Sequence, residues 1–276
     1  MNAIDIRGIE SCIFNKSTLT IDSNQKGELF LSSFNFNKDK GVIKINDNCD
    51  LSLLLIGELE TEKLFIEIGN NSNVNFNIFS VNQGTGNQIN VILNEGASLT
   101  VAYADFSTGI KELNCKIDLN GRHSEVRWHL ACLSRDNDKK TFNINFNHNV
   151  GETKAKMENY GVCKDKSTLK FIGDALIVKG AKKSSTKQEA KIMVFNKTCH
   201  ASASPKLCIY ENDVEASHGA SEGQINPEHI FYLTSRGIEE ENAKRLITLG
   251  YLYPILQYFN DETLKEEIKN TIIEKV

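Results

Sequence analysis

The sequence contains no apolar run that approaches the roughly 20 residues needed to cross a bilayer as a helix. Its start, MNAIDIRGIESCIF, lacks the basic segment followed by an apolar segment that marks a secretory signal. A cytoplasmic location, away from membranes, is the expectation. Long blocks of like charge are missing, and the net charge is −4 with both signs spread along the chain. Without a dense basic stripe, general nucleic-acid binding is not expected. Proline is scarce, at 3 residues, and the 7 cysteines never form CxxC. An odd number of cysteines without an export signal reads as reduced thiols that pack as small hydrophobes.

Enzyme motifs are scarce too. GxxxxGK[ST] and HExxH are absent. The segment GTGNQIN (84–90) has two glycines but no following helix to receive phosphate, so it reads as a turn. No carboxylate pair has a spacing that compels glycosidase geometry. The 6 histidines form no HxH or HxxxH pair.

What is present is hydrophobic residues at 40%, enough for a sizeable core. From about residue 17 to 212 they alternate with polar residues. GELFLSSF, GVIKIND, CDLSLLLIG, KLFIEIG, NVNFNIFSV, INVILN, SLTVAYA, CKIDL, EVRWHLACL, TFNINFNH, TLKFIG and ALIVKG all read as short strands. Asn, Gly, Asp or Ser punctuates nearly every one. Ser72, Ser98 and Ser124 recur at 26-residue spacing. At that offset Val91 matches Ile117, Leu93 matches Leu119 and Asn94 matches Asn120. Such a period suits one coil of a β-solenoid, with a jelly roll or double sandwich as the alternative.

Near residue 226 the pattern turns helical. Asn226-Pro227 reads as N-cap and first helical residue, and Gly237 as the stop. A second helix opens on Glu239, Glu240 and Glu241. It places Leu246, Leu249, Gly250, Tyr253 and Leu256 on one face, and Pro254 should kink or shorten it. A third, from about Asp261, puts Leu264, Ile268 and Ile272 in a row. The stripe reads as core or as a partner surface. The stretch from Asp213 to Ile238 is the expected seat of function, with the β body as its scaffold. Within it His218, followed by Gly219, is the candidate ligand: imidazole suits iron as well as zinc, and glycine allows close approach.

The run PKLCIYENDVEASHGASEGQINPEHIFYLTSRGIEEENAKRLITLGYL (205–252) resembles the C-terminal signature of the SufB/SufD family, scaffold subunits of SUF iron–sulfur cluster assembly. Weaker resemblance extends upstream through His148 to about residue 90. Ser217-His218-Gly219-Ala220 is similar to SufD-type subunits, whereas SufB-type chains carry His-Glu-Ala there. The essential cysteine of SufB-type chains falls, counted back from His218, on Ala190. Both departures point to the SufD type.

The resemblance implies a mainly β fold: a right-handed parallel β-helix over residues 1–225, then a small helical domain over 226–276. It implies a non-enzymatic scaffold that pairs with a SufB-type subunit and docks a SufC-type ATPase through Phe231, Tyr232, Arg236, Gly237, Leu246 and Leu249. His218 would face the subunit interface and hold iron or a nascent cluster transiently, with no permanently bound cofactor. Cys199, Cys208 and His148 are candidate auxiliary ligands. Two alternatives stand beside it. One is a homodimeric minimal scaffold working with a single ATPase. The other is a β-helix polysaccharide-active enzyme.

Overall fold

A computed structural model of the chain describes residues 5–33 and 36–276. The first strands are β1 (Ile6–Arg7), β2 (Cys12–Asn15), β3 (Thr18–Ile21), β4 (Lys26–Phe30), β5 (Gly41–Ile45) and β6 (Asp50–Ile56). There follow β7 (Lys63–Ile68), β8 (Asn73–Ser80), β9 (Gly86–Leu93), β10 (Ser98–Asp105), β11 (Ile110–Leu119) and β12 (Glu125–Ser134). The last are β13 (Lys139–His148), β14 (Lys154–Cys163), β15 (Thr168–Ile177), β16 (Ser184–Val194), β17 (His200–Ile209) and β18 (Val214–Gln224).

From β3 onward the chain alternates between two sheets, and each strand pairs in parallel with the strand two places along. One nine-stranded sheet runs β1-β4-β6-β8-β10-β12-β14-β16-β18; the other runs β17-β15-β13-β11-β9-β7-β5-β3-β2. This is the expected β-solenoid. Alternate side chains point into the coil: β13 turns Lys140, Phe142, Ile144, Phe146 and His148 inward, all fully buried. Tyr103, Trp128, Phe142 and Phe171 interlock there as edge-on and tilted rings.

One corner of every coil but the last turns through a left-handed residue: Asn24, Asn48, Asn71, Gly96, His123, Glu152 and Lys183, with φ between 53° and 65°. Most of these N–H groups donate to the next coil's corner, as Asn48 does to the carbonyl of Asn70 and Glu152 to that of Lys182. Asparagine tolerates this conformation better than most residues, which accounts for the Asn punctuation of the early coils.

The 26-residue repeat is real where it aligns Val91 with Ile117 and Leu93 with Leu119, which are true register partners. It fails for the serines, because Ser98 stands opposite Asn73 and Glu125. The coil lengthens along the chain. Asp50 and Asn73, one coil apart, are separated by 23 residues, whereas Thr153 and Ser184 are separated by 31. TLKFIG and ALIVKG are parts of one strand, β15, with Gly173 inside it. GTGNQIN is a turn only as far as Thr85, since β9 begins at Gly86. GELFLSSF is strand only to Phe30, then a single 3-10 turn; Phe34 lies outside the described residues, as do Met1–Ile4 of the chain's start.

The helices are α1 (Pro227–Ser235), α2 (Glu240–Leu252) and α3 (Glu262–Lys275), with a 3-10 segment Tyr253–Tyr258 around Pro254. Asn226 caps α1, its Oδ1 accepting from Glu228 N–H at 2.9 Å, and Gly237 has φ 84° just beyond it. Helices α2 and α3 fold back onto the outer face of the sheet that runs from β1 to β18. Leu252, Ile255, Phe259, Leu264, Ile268 and Ile272 form a second core there with Leu54, Phe79, Ala102, Phe106, Leu133 and Val162. The row on α3 is therefore core. Of the expected stripe, Leu249, Tyr253 and Leu256 pack against this core, whereas Leu246 is 49% exposed; the fully buried residues of α2 are Ala243, Thr248 and Leu252. No helix among the described residues is long and apolar enough to cross a membrane.

Candidate functional site

The two ends of the solenoid differ. At the N-terminal end, β1 and β2 run antiparallel to β4 and β3 and close the first coil. At the other end β17 and β18 are the outermost strands of their sheets, and no further strand among the described residues pairs with them. Nearly every residue of β18 is exposed, including His218. This is a free pairing edge of the kind that proteins usually cover.

His218 sits in the middle of β18, in register with Gln188 of β16. Partners in a parallel ladder share a face, and Gln188 is buried, so His218 lies on the inward face of a coil that has no coil above it. Ala190 is one strand in and two residues along from Gln188, opposite Ala220. It too faces inward, at 6% exposure. The position of the missing cysteine and the histidine therefore share one surface. Beside His218, Gly219 has nothing within 4 Å of where a Cβ would stand.

The other candidates lie apart. Cys199 precedes β17, half-buried, with its thiol donating to the Cys163 carbonyl at 3.3 Å. Cys208 is in register with Leu176 and so takes the outward face of β17. His148 is wholly buried at the end of β13, its Nδ1 2.7 Å from Thr153 Oγ1. Burial lowers its pKa to about 4 and keeps it neutral. Among the described residues no three His, Cys, Asp or Glu side chains come together as a metal site. On its inward face the end of the solenoid carries one imidazole, that of His218.

Of the tail residues, Phe231 is 74% and Tyr232 56% exposed on α1, which buries no residue at all. The Arg236 guanidinium lies over the Tyr232 ring at 5.1 Å. Leu249 packs against the second core. Sequence reasoning missed a second buried histidine, His129. Its ring stacks on Tyr258 at 3.5 Å, and Nδ1 is 2.9 Å from Glu158. Burial pulls its pKa down to about 4, against the opposing pull of Glu158. It fastens the 3-10 segment to the sheet. Gln188 was missed as well, and only the strand register reveals its place under His218.

The family described as SUF system FeS cluster assembly, SufBD core domain, matches residues 56–251, beginning earlier than the motifs alone indicated. The chain is 31% identical over 216 residues to the iron–sulfur cluster assembly protein SufD of Bacillus subtilis, covering 67% of this chain and 49% of that one. It is 28% identical over 155 residues to SufD of Escherichia coli, covering 56% of this chain and 37% of that one. A SufBD family protein of Pyrococcus horikoshii is 34% identical over 96 residues, 35% of this chain and 21% of the relative. The matched region spans half or less of the length of these relatives. With the solenoid, the open last coil and the SHGA motif on β18, these likenesses show that the chain belongs to the SufB/SufD family and is of the SufD type.

Proposed function

We propose that the chain is a non-enzymatic scaffold subunit of iron–sulfur cluster assembly in the cytoplasm. It pairs with a SufB-type subunit through the open end of its solenoid and holds a SufC-type ATPase through its helical tail, residues 226–276. One observation carries this reading: the last coil presents His218 on an inward face that lies bare beside two unpaired strand edges. A second solenoid docked there pairs its edge strands with β17 and β18 and covers the imidazole. Iron or a nascent cluster is cargo at that seam, with His218 as this chain's ligand and the rest from the partner. Imidazole is a suitable ligand for iron. The single donor fits a shared, transient site better than a resident one.

The tail supports the second contact. Helix α1 buries nothing and shows two aromatic side chains and an arginine, the residue types that dominate binding energy at interfaces. Deleting everything after Gly237 is a poor test, since it also removes Leu252, Ile255, Phe259, Leu264, Ile268 and Ile272 from the second core. The cleaner test is Phe231→Ala with Tyr232→Ala. Both side chains are exposed, so folding is expected to be unchanged. Affinity for the ATPase, measured by titration of the purified partners, is expected to fall at least about tenfold. Undiminished affinity would remove α1 from the docking surface.

A further inference from the structure

Cys163 and Cys199 meet at one corner of the solenoid. Cys163 ends β14, and Cys199 stands just before β17. Thr168 is the register partner of His200, so Cys199 lies one coil along from Ser167. Ser167 closes the short turn that follows Cys163, and its Oγ is 3.2 Å from the Cys163 Sγ. The two cysteines therefore face each other across a single gap between coils, a gap that a disulfide can span. Their atoms agree with this placement. The Cys199 thiol donates to the Cys163 carbonyl at 3.3 Å and lies within hydrogen-bonding reach of the Cys163 thiol itself. Both side chains pack in the core of the coil.

The pair is unequal. Cys163 is fully buried, whereas Cys199 is half-buried and is the thiol that a small solute can reach. Burial pushes the Cys163 thiol up to about 12 and keeps its proton on. Cys132 is the other cysteine near Cys163, but it stands in register with Gly161 and is sealed beside Asp105.

We propose that Cys163 and Cys199 form an oxidation site, at which a peroxide converts the two thiols into a disulfide that staples β17 to β14. The Cys199 sulfur attacks the O–O bond of the peroxide and becomes a sulfenic acid, and one water leaves. The Cys163 sulfur then displaces the sulfenic hydroxyl, which departs with the Cys163 proton as a second water. Two thiols and one hydrogen peroxide thus give one disulfide and two waters. The link fastens an outermost strand of the open end to the coils behind it, whether or not that end docks a partner.

The test treats the reduced full chain with hydrogen peroxide, blocks the remaining thiols and digests with trypsin. The peptides MENYGVCK (157–164) and TCHASASPK (198–206) should appear joined, and should separate on reduction. Cys163→Ser should leave a sulfenic acid on Cys199 that dimedone traps, and Cys199→Ser should leave Cys163 a free thiol. Both variants are expected to fold, because the neighbouring coil already carries serine at the corresponding places, Ser134 and Ser167. Amide hydrogen exchange in β17 should slow at least about tenfold in the oxidised chain, relative to Cys199→Ser treated alike. Two free thiols after peroxide, a link to another cysteine such as Cys132, or β17 amides that exchange as before overturns the proposal.

Discussion

Asp105→Ala is expected to destabilise the protein by about 3–5 kcal/mol. Asp105 ends β10 inside the coil, and both it and Lys140 are 0% exposed. Lys140 Nζ donates to Asp105 Oδ1 and to the Leu133 carbonyl, each at 2.7 Å. Ser107 Oγ also donates to the carboxylate, at 3.0 Å. Burial pulls the Lys140 pKa down, but the Asp105 carboxylate, with Cys132 and Asp138, outweighs it and the pKa ends above the usual lysine value. The ammonium is therefore charged at every pH of interest. Removing the carboxylate strands that charge in the core with one neutral acceptor. Urea unfolding followed by circular dichroism measures the loss. Asp105→Leu combined with Lys140→Met should recover most of it, because replacing a whole buried pair by apolar groups is often neutral. A cost under about 1 kcal/mol for Asp105→Ala would mean that the pair is not sealed from water.

How much of this was legible in the sequence depended on where each strand lies in the stack. β8 to β13 could be read directly, because each coil there buries an apolar row between two others. NVNFNIFS and TFNINFNH alternate almost strictly. Even the register of β9 on β11 could be counted, since their coils differ little in length. Counting failed further on as the coils lengthened. The late strands carry weak signals for a physical reason. β16 reads SSTKQEAKIMV, β17 HASASPKLCI and β18 VEASHGASEGQ, rich in Ser, Ala, Lys and Glu. Strand propensity there is low, and β18 has no coil above it to bury residues against. Its extended state comes from the ladder with β16. His218 could be singled out by residue type and by the family motif, but no alternation of apolar and polar residues marked its segment as a strand. That the bare strand is the surface itself emerges only from the stacking. The α2 stripe held for Leu249, Tyr253 and Leu256 but not for Leu246, because packing on the sheet selected the small Ala243 and Thr248 beside Leu252.

His218→Ala carries the other large expected effect. The side chain is exposed, has no close packing to lose, and the change should alter stability by no more than about 0.5 kcal/mol. Gly219 and Ala220 beside it are small, so no other side chain on β18 within two residues can take the imidazole's place as a nitrogen ligand. Loss of function should therefore be separable from loss of fold. Complex formation with the scaffold partner and the ATPase should persist, because it relies on strand edges and on α1.

The decisive measurement is anaerobic reconstitution of that complex with iron and sulfide, followed by its visible sulfide-to-iron charge-transfer absorption. With His218 intact, cluster absorption should build up at the assembled seam. With His218→Ala, the complex should assemble normally and form at least about tenfold less cluster, as expected when a metal site loses a ligand outright rather than only its outer support. Full cluster absorption in the His218→Ala complex would contradict the assignment of the open end of the solenoid as a cluster-assembly surface.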